Sequence, residues 1–332
     1  MPDQMTPRER VLAALAGQPV DRPPVSMWRH FFLEESDPSR MAQAMLAFQQ
    51  AYRWDFVKVN PRAAYHGEDW GVRLRYQSDP FAQPEVVDWP VKTPQDWLAL
   101  KPLDVQQGVL GQHLEALKTV IRGVGPQVPV LMTVFTPLAI AGRLANSDEV
   151  VAAHLRLYPE KVSYALDVIT DTFIRFARAC LEAGAGGLFF ATTGWATALR
   201  LSRDEYARWG RPYDLRLLQS LPPAPFHLLH VCRDYNYLAE FRDYPVHAVN
   251  WDAHGAGNPS LAQGKALLGK CVVGGIPHRT LLMQGTPQQV AEAVHSLRGE
   301  LGATGWMLGP GCTFPPQAPE ANLRALREAI AA

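Results

Sequence analysis

Two stretches of the chain carry side chains able to share one metal ion. In Leu228-Leu229-His230-Val231-Cys232, the histidine and cysteine stand two positions apart, so an extended strand sends both side chains to the same face. A second apolar run, Gly305-Trp306-Met307-Leu308, leads into Gly309-Pro310-Gly311-Cys312, where glycines let the backbone bend and approach a bound group. Imidazole and thiolate donors suit a borderline-soft ion such as zinc. Three such ligands with one replaceable position make the usual catalytic zinc site, which Asp252, a water or an incoming thiol could complete. A thiol bound there would lose its proton and become a thiolate nucleophile at neutral pH.

Each residue also has a plainer reading. A cysteine on an apolar strand is usually a small buried hydrophobe, and a histidine there is more often hydrogen-bonded than metal-bound. For His230, Cys232 and Cys312 the joint placement at strand ends carries the metal reading. Cys180, on a helix, and Cys271, at the start of its strand, keep the plain one. Asp252 could bind the ion or cap the next element, and His254 and His278 sit on loops after strands six and seven.

The elements that must bring these residues together follow from the apolar periodicity. Strand candidates are Val25–Phe31, Phe56–Asn60, Val128–Phe135, Gly187–Thr192, Phe226–Cys232, Ala248–Asp252, Cys271–Ile276 and Gly305–Leu308. Helical stretches alternate with them, beginning with a capping box at Thr6-Pro7-Arg8-Glu9 and including 41–52, 109–120, 148–157, 159–183, 202–221, 236–242, 261–268, 287–301 and 319–331. That order predicts an α/β fold, a single (β/α)8 TIM barrel over residues 1–332 with an irregular insertion at about 65–105. In such barrels the reactive groups leave the C-terminal ends of the strands, where His230, Cys232, Asp252 and Cys312 all fall. Trp28, Arg29 and His30 exit strand one, and Asn60 exits strand two. Trp28, Phe135, Trp195 and Trp251 lie near strand exits, placed to stack on a planar ring or to pack the insertion.

Composition narrows the function. With Lys plus Arg and Asp plus Glu both at 32, no global field recruits nucleic acid or an anionic membrane. The longest apolar run, 128–141, is too short and too interrupted to span a bilayer. The opening Met1-Pro2-Asp3-Gln4 lacks the basic-then-apolar pattern of a secretion signal, which predicts a cytoplasmic protein. Four scattered cysteines without such a signal argue against a disulfide framework.

Several segments resemble the uroporphyrinogen decarboxylase superfamily over nearly the whole chain. They are Arg8-Glu9-Arg10-Val11-Leu12 with Pro19-Val20-Asp21-Arg22-Pro23-Pro24, then Leu229-His230-Val231-Cys232, Gly274-Gly275-Ile276-Pro277, Gly285-Thr286-Pro287, and Gly309-Pro310-Gly311-Cys312 running on to Pro315-Pro316 and Asn322. One branch, similar to the coenzyme M methyltransferases, holds zinc by a His-x-Cys pair and a distant Cys, the pattern of His230, Cys232 and Cys312. This resemblance implies transfer of a methyl group from a methylated corrinoid such as methylcobalamin to a zinc-bound small-molecule thiol. A corrinoid protein or free methylcobamide is the implied partner. Asp252, Arg29 and Asn60 are then the candidate catalytic residues, and Trp28, His30, Trp195, Trp251 and His278 the candidate corrinoid-binding ones.

The true decarboxylases form the other branch and imply cofactor-free removal of carboxyls from a tetrapyrrole in porphyrin synthesis. They carry an arginine-rich strand-one motif, a central aspartate near strand two and a Pro-Gly-His near the C-terminus. This chain has only Arg29, Asn60 and Pro310-Gly311-Cys312 at those places. A third reading is a non-catalytic corrinoid- or tetrapyrrole-binding protein. Neither the thiol acceptor nor the oligomeric state is legible in the sequence.

Overall fold

The computed structural model describes residues 4–332, so positions 1–3 of the opening tetrapeptide fall outside the described residues. Seven strands pair in parallel in one sheet: β1 (Val57–Val59), β4 (Val130–Phe135), β5 (Gly187–Ala191), β6 (Leu228–Val231), β7 (Ala248–Trp251), β8 (Cys271–Ile276) and β9 (Trp306–Pro310). Nearly every residue in them is buried, as expected of parallel strands covered on both faces. Helices fill the connections, among them Gly108–Val124, Pro159–Glu182 and Pro287–Leu301. Among the described residues no helix is long and apolar enough to cross a membrane.

The expected first strand, Val25–Phe31, differs. It contributes one parallel bridge, Val25 to Leu308 of β9, with Ser26 N donating to Leu308 O at 3.1 Å and Leu308 N to Pro24 O at 2.8 Å. On its other side Asp55 N donates to Val25 O at 2.8 Å, so the segment touches both edges of the curled sheet. The ladder goes no further. Pro23 and Pro24 supply no N–H, and past Ser26 the chain turns to the C-terminal loop, where Phe314 N donates to Trp28 O at 3.2 Å.

A buried ionic cluster fixes this segment at the end of the sheet opposite the site. The Asp55 carboxylate accepts from Arg10 Nη1 at 2.6 Å, from Arg22 Nη1 at 2.6 Å and from Val25 N at 2.8 Å. Arg10 also pairs with Asp21 at 2.7 Å. The Arg10 and Asp21-Arg22-Pro23-Pro24 motifs thus do structural work here, tying the first helix, Pro7–Leu15, to the start of β1.

Three helices depart from the sequence expectation. Residues 202–221 form two helices, Arg203–Trp209 and Arg211–Gln219, because Gly210 packs so close to the Tyr206 ring that a Cβ would stand 2.5 Å from it, and Pro212 has no N–H to give. The apolar run after β4 hides a further helix, Pro137–Leu144, capped by Thr136. Residues 236–242 hold a 3-10 turn, Leu238–Phe241. Within 65–105 lie the short helix Tyr65–Glu68, an antiparallel hairpin of β2 (Arg73–Arg75) and β3 (Glu85–Asp88), and a 3-10 helix, Pro94–Ala99.

Candidate metal centre

His230 lies in β6, Cys232 immediately follows it, and Cys312 follows β9, so all three sit at the C-terminal ends of their strands. Their ligand atoms all lie within 4.8 Å of one another, with His230 buried and both cysteines half-buried. The two sulfurs are 3.9 Å apart. Two thiolates bound to one tetrahedral zinc at about 2.3 Å would stand about 3.8 Å apart, so the spacing already matches that ion.

Asn250, not singled out by the sequence, decides how the histidine presents itself. Its Nδ2 donates to Val273 O at 2.8 Å and to Pro310 O at 3.0 Å, which turns Oδ1 toward His230 Nδ1 at 2.6 Å. Nδ1 must therefore carry the proton, leaving the Nε2 lone pair for a metal. A fully buried asparagine between Val249 and Trp251 in an apolar strand was the available signal. The ring of His230 also stacks on Phe189, centroids 5.4 Å apart.

Close backbone approach brings the third candidate ligand in. At Gly311 a Cβ would stand 2.8 Å from Asp252 Cα, so only glycine lets the β9 exit lie against the β7 exit and deliver Cys312. The thiols then titrate unequally. The Cys232 S–H beside it, aided by His230 and His278, holds the Cys312 thiol well below the usual thiol range, and the same contact together with burial pushes Cys232 well above it.

The remaining expected residues fall in varied places. Asp252 is outside the ligand group: its Oδ1 accepts from His254 N at 3.1 Å, closing a turn, and its Oδ2 is 3.8 Å from His278 Nδ1. His278 is buried with both ring nitrogens unpartnered, and burial lowers its pKa. His254 Nε2 lies 3.1 Å from Gly275 O. Arg29 is engaged elsewhere, donating to Pro316 O at 2.8 Å with its guanidinium over the Phe31 and Phe48 rings. His30 contacts Glu35 and stacks on Phe32. Asn60 is buried beside Lys58, whose Nζ donates to its Oδ1 at 2.5 Å. Trp28, Trp195 and Trp251 are all buried, which leaves none of them an open face for a large planar ring. Trp28 packs edge-on against Phe189, and Trp251 lies under the helix Leu261–Leu268 with Nε1 donating to Pro259 O at 2.9 Å.

Lys58 is the second residue that sequence reasoning passed over. It stands mid-strand between two valines, and its Nζ lies 4.7 Å from the centroid of the Phe189 ring on which His230 stacks. Burial pulls its pKa down to about 7, with Cys312 and Glu35 pulling the other way. A lysine flanked by apolar residues inside a strand was the signal here.

Comparison with known proteins agrees with this architecture. The family described as uroporphyrinogen decarboxylase (URO-D) matches residues 6–332. A methylcobamide:CoM methyltransferase of Methanosarcina acetivorans is 24% identical, covering 98% of this chain and 97% of the relative. A uroporphyrinogen decarboxylase of Thermus thermophilus is also 24% identical, covering 96% of each. Among solved structures, a methyltransferase from Methanosarcina mazei superimposes with a TM-score of 0.81 at 24% identity, covering 98% of both chains.

Proposed function

Because this chain belongs to the uroporphyrinogen decarboxylase (URO-D) family, we propose that it is a zinc-dependent methyltransferase moving a methyl group from a methylated corrinoid to a thiol. The observation that carries this reading is the convergence of His230 Nε2 and the sulfurs of Cys232 and Cys312 from distant strands, with the sulfur spacing that zinc requires. Similarity to methylcobamide:CoM methyltransferases supports the corrinoid donor and the thiol acceptor. In architecture, the bridge of Val25 to Leu308 supports reading the curled sheet as a closed (β/α)8 barrel.

His230, Cys232 and Cys312 would hold the ion, and zinc, when bound, lowers the pKa of a thiol at its open position so that the nucleophile is a thiolate. The protein's own part is positional. Asn250 fixes the histidine tautomer, and Gly311 sets the height of Cys312 against the β7 exit. Phe189 walls the site and keeps water from the His230 ring face. Asp252, 3.8 Å from the buried His278 and itself partly open to solvent, stands at the rim, where a proton released from the incoming thiol can leave.

Metal analysis of protein produced in zinc medium, paired with methyl transfer from methylcobalamin to 2-mercaptoethanesulfonate, tests the reading. Wild type is expected to hold one zinc per chain and Cys312→Ala to lose both metal and transfer. A metal-free wild type ends the proposal. The second reading, tetrapyrrole decarboxylation, draws on the similarity to the Thermus decarboxylase. Carbon dioxide release from uroporphyrinogen, undiminished in Cys232→Ser, would replace the first reading with it.

A further inference from the structure

Flanking the metal centre on the β5 and β6 side is a cavity of ≈ 320 Å³ lined by Arg143, Arg233, His66 and Trp195 among others. Arg143 projects from the helix Pro137–Leu144, is mostly removed from solvent, and makes no hydrogen bond or ion pair with any described residue. The Arg233 side chain, exposed at the mouth of the cavity, makes none either. Asp148 lies within electrostatic reach of both, but its carboxylate is taken by Arg200 at 3.1 Å, and Arg200 also holds Glu149. The neighbourhood therefore counts three guanidiniums against two carboxylates. His66 adds a buried ring nitrogen without a partner.

Arg143 is half-buried with its guanidinium turned to the cavity rather than to a protein partner, and a planar guanidinium is shaped to grip two oxygens of one anion. The backbone spends strain to place one of the two. Arg233 adopts a left-handed conformation, φ 74°, directly after Cys232, and its carbonyl is held by Asn258 Nδ2 at 3.0 Å and Asn236 Nδ2 at 3.4 Å. Gly194 lies opposite, in van der Waals range of the side chain: a Cβ there would stand 3.6 Å from Arg233 Nε. The loop carrying Gly194 leaves β5 beside Thr192, whose Oγ1 accepts from Cys232 N at 3.4 Å, so the cavity and the metal ligands share one rim.

We propose that Arg143 and Arg233 form an oxyanion-binding site at the edge of the metal centre, taking a carboxylate, sulfonate or phosphate group carried by one of the two reactants. The site itself stands on two guanidiniums that line one cavity without a protein partner, and only the identity of the reactant rests on the methyl-transfer reading. Two sources share the chemistry. An acid group on the acceptor thiol would anchor its sulfur toward the ligands, and a phosphodiester on the corrinoid's nucleotide tail would anchor the donor.

Titration calorimetry on the zinc-loaded full chain separates them without turnover. The acceptor probes are 3-mercaptopropionate and uncharged 2-mercaptoethanol. The donor probes are methylcobalamin and methylcobinamide, which lacks the phosphodiester. Arg143→Gln and Arg233→Gln are each expected to weaken the oxyanion-bearing member of one pair by 10-fold or more, leave the member that lacks the oxyanion unchanged, and keep zinc content and circular dichroism at wild-type levels. Equal losses for the two members of a pair, or no loss in either pair, overturn the site. A wild type that prefers neither acidic probe to its counterpart overturns it as well. Failure of methyl transfer with this binding pattern intact would count against the reaction and leave the site standing.

Discussion

Asn250 Oδ1 lies 2.6 Å from His230 Nδ1, and this contact selects which nitrogen of the histidine faces the two sulfurs. The selection is rigid because both Asn250 donors are committed to the Val273 and Pro310 carbonyls, on the two strands that follow in the sheet. Replacing the amide by an apolar side chain of similar size frees the tautomer and the ring. Asn250→Leu is expected to weaken zinc binding about 10- to 100-fold while the three ligands remain, read by competition with a chromophoric chelator. An affinity within twofold of wild type would show that the histidine needs no such anchor.

Unequal thiols set the proton count of metal binding. Cys312, held low by the Cys232 S–H and by His230, is already a thiolate at pH 8, whereas Cys232 still carries its proton. Zinc uptake at pH 8 should therefore release about one proton, and affinity should climb about tenfold per pH unit until Cys232 ionises in the free protein. Calorimetry in buffers of different ionisation enthalpy measures the number directly. Release of two protons would mean that both thiols are protonated in the free site.

How much of this was legible in the sequence depends on the range of the forces involved. His230 and Cys232 can be read as a pair because strand alternation is a local rule, and the Thr6–Glu9 capping box is equally local. The first strand is not readable in the same way: its apolar letters are right, but proline spacing and the Trp28–Phe314 hydrogen bond, made across nearly the whole chain, end its pairing after one bridge. Asn250 and Lys58 were visible as polar letters in apolar strands. What they touch depends on register with β8, β9 and β5, which no single strand encodes. Gly311 and Gly210 carry the same lesson, since each is required by a neighbour distant in space or one turn away.

The Asp55 carboxylate is shared by the Arg10 and Arg22 guanidiniums and by Val25 N, all buried. Asp55→Asn removes the charge that both guanidiniums share while keeping the side chain's shape. Breaking a buried ionic cluster in this way should cost about 3–5 kcal/mol of unfolding free energy, measured in urea. Because the cluster lies at the far end of the sheet, the folded fraction should match wild type in the zinc it takes up. A loss under about 1 kcal/mol would mean the cluster is not what ties the 24–26 segment to β1.

Lys58 makes the stability of the metal-free chain depend on pH in a stated direction. Burial lowers its folded pKa from 10.5 to about 7, so between those values the unfolded state holds more protons than the folded one and stability rises with pH. Below pH 7 the penalty for a buried, protonated amine is complete, at most roughly 5 kcal/mol, and above 10.5 it is gone. Lys58→Met removes that titration and also the hydrogen bond to Asn60 Oδ1, a loss of about 1 kcal/mol at any pH. The variant should thus be more stable than wild type at pH 6.5 by a few kcal/mol and no more stable at pH 10, in urea unfolding of both chelated proteins. A difference that stays constant across that range would mean the amine keeps its proton in the folded chain, with Cys312 and Glu35 offsetting its burial.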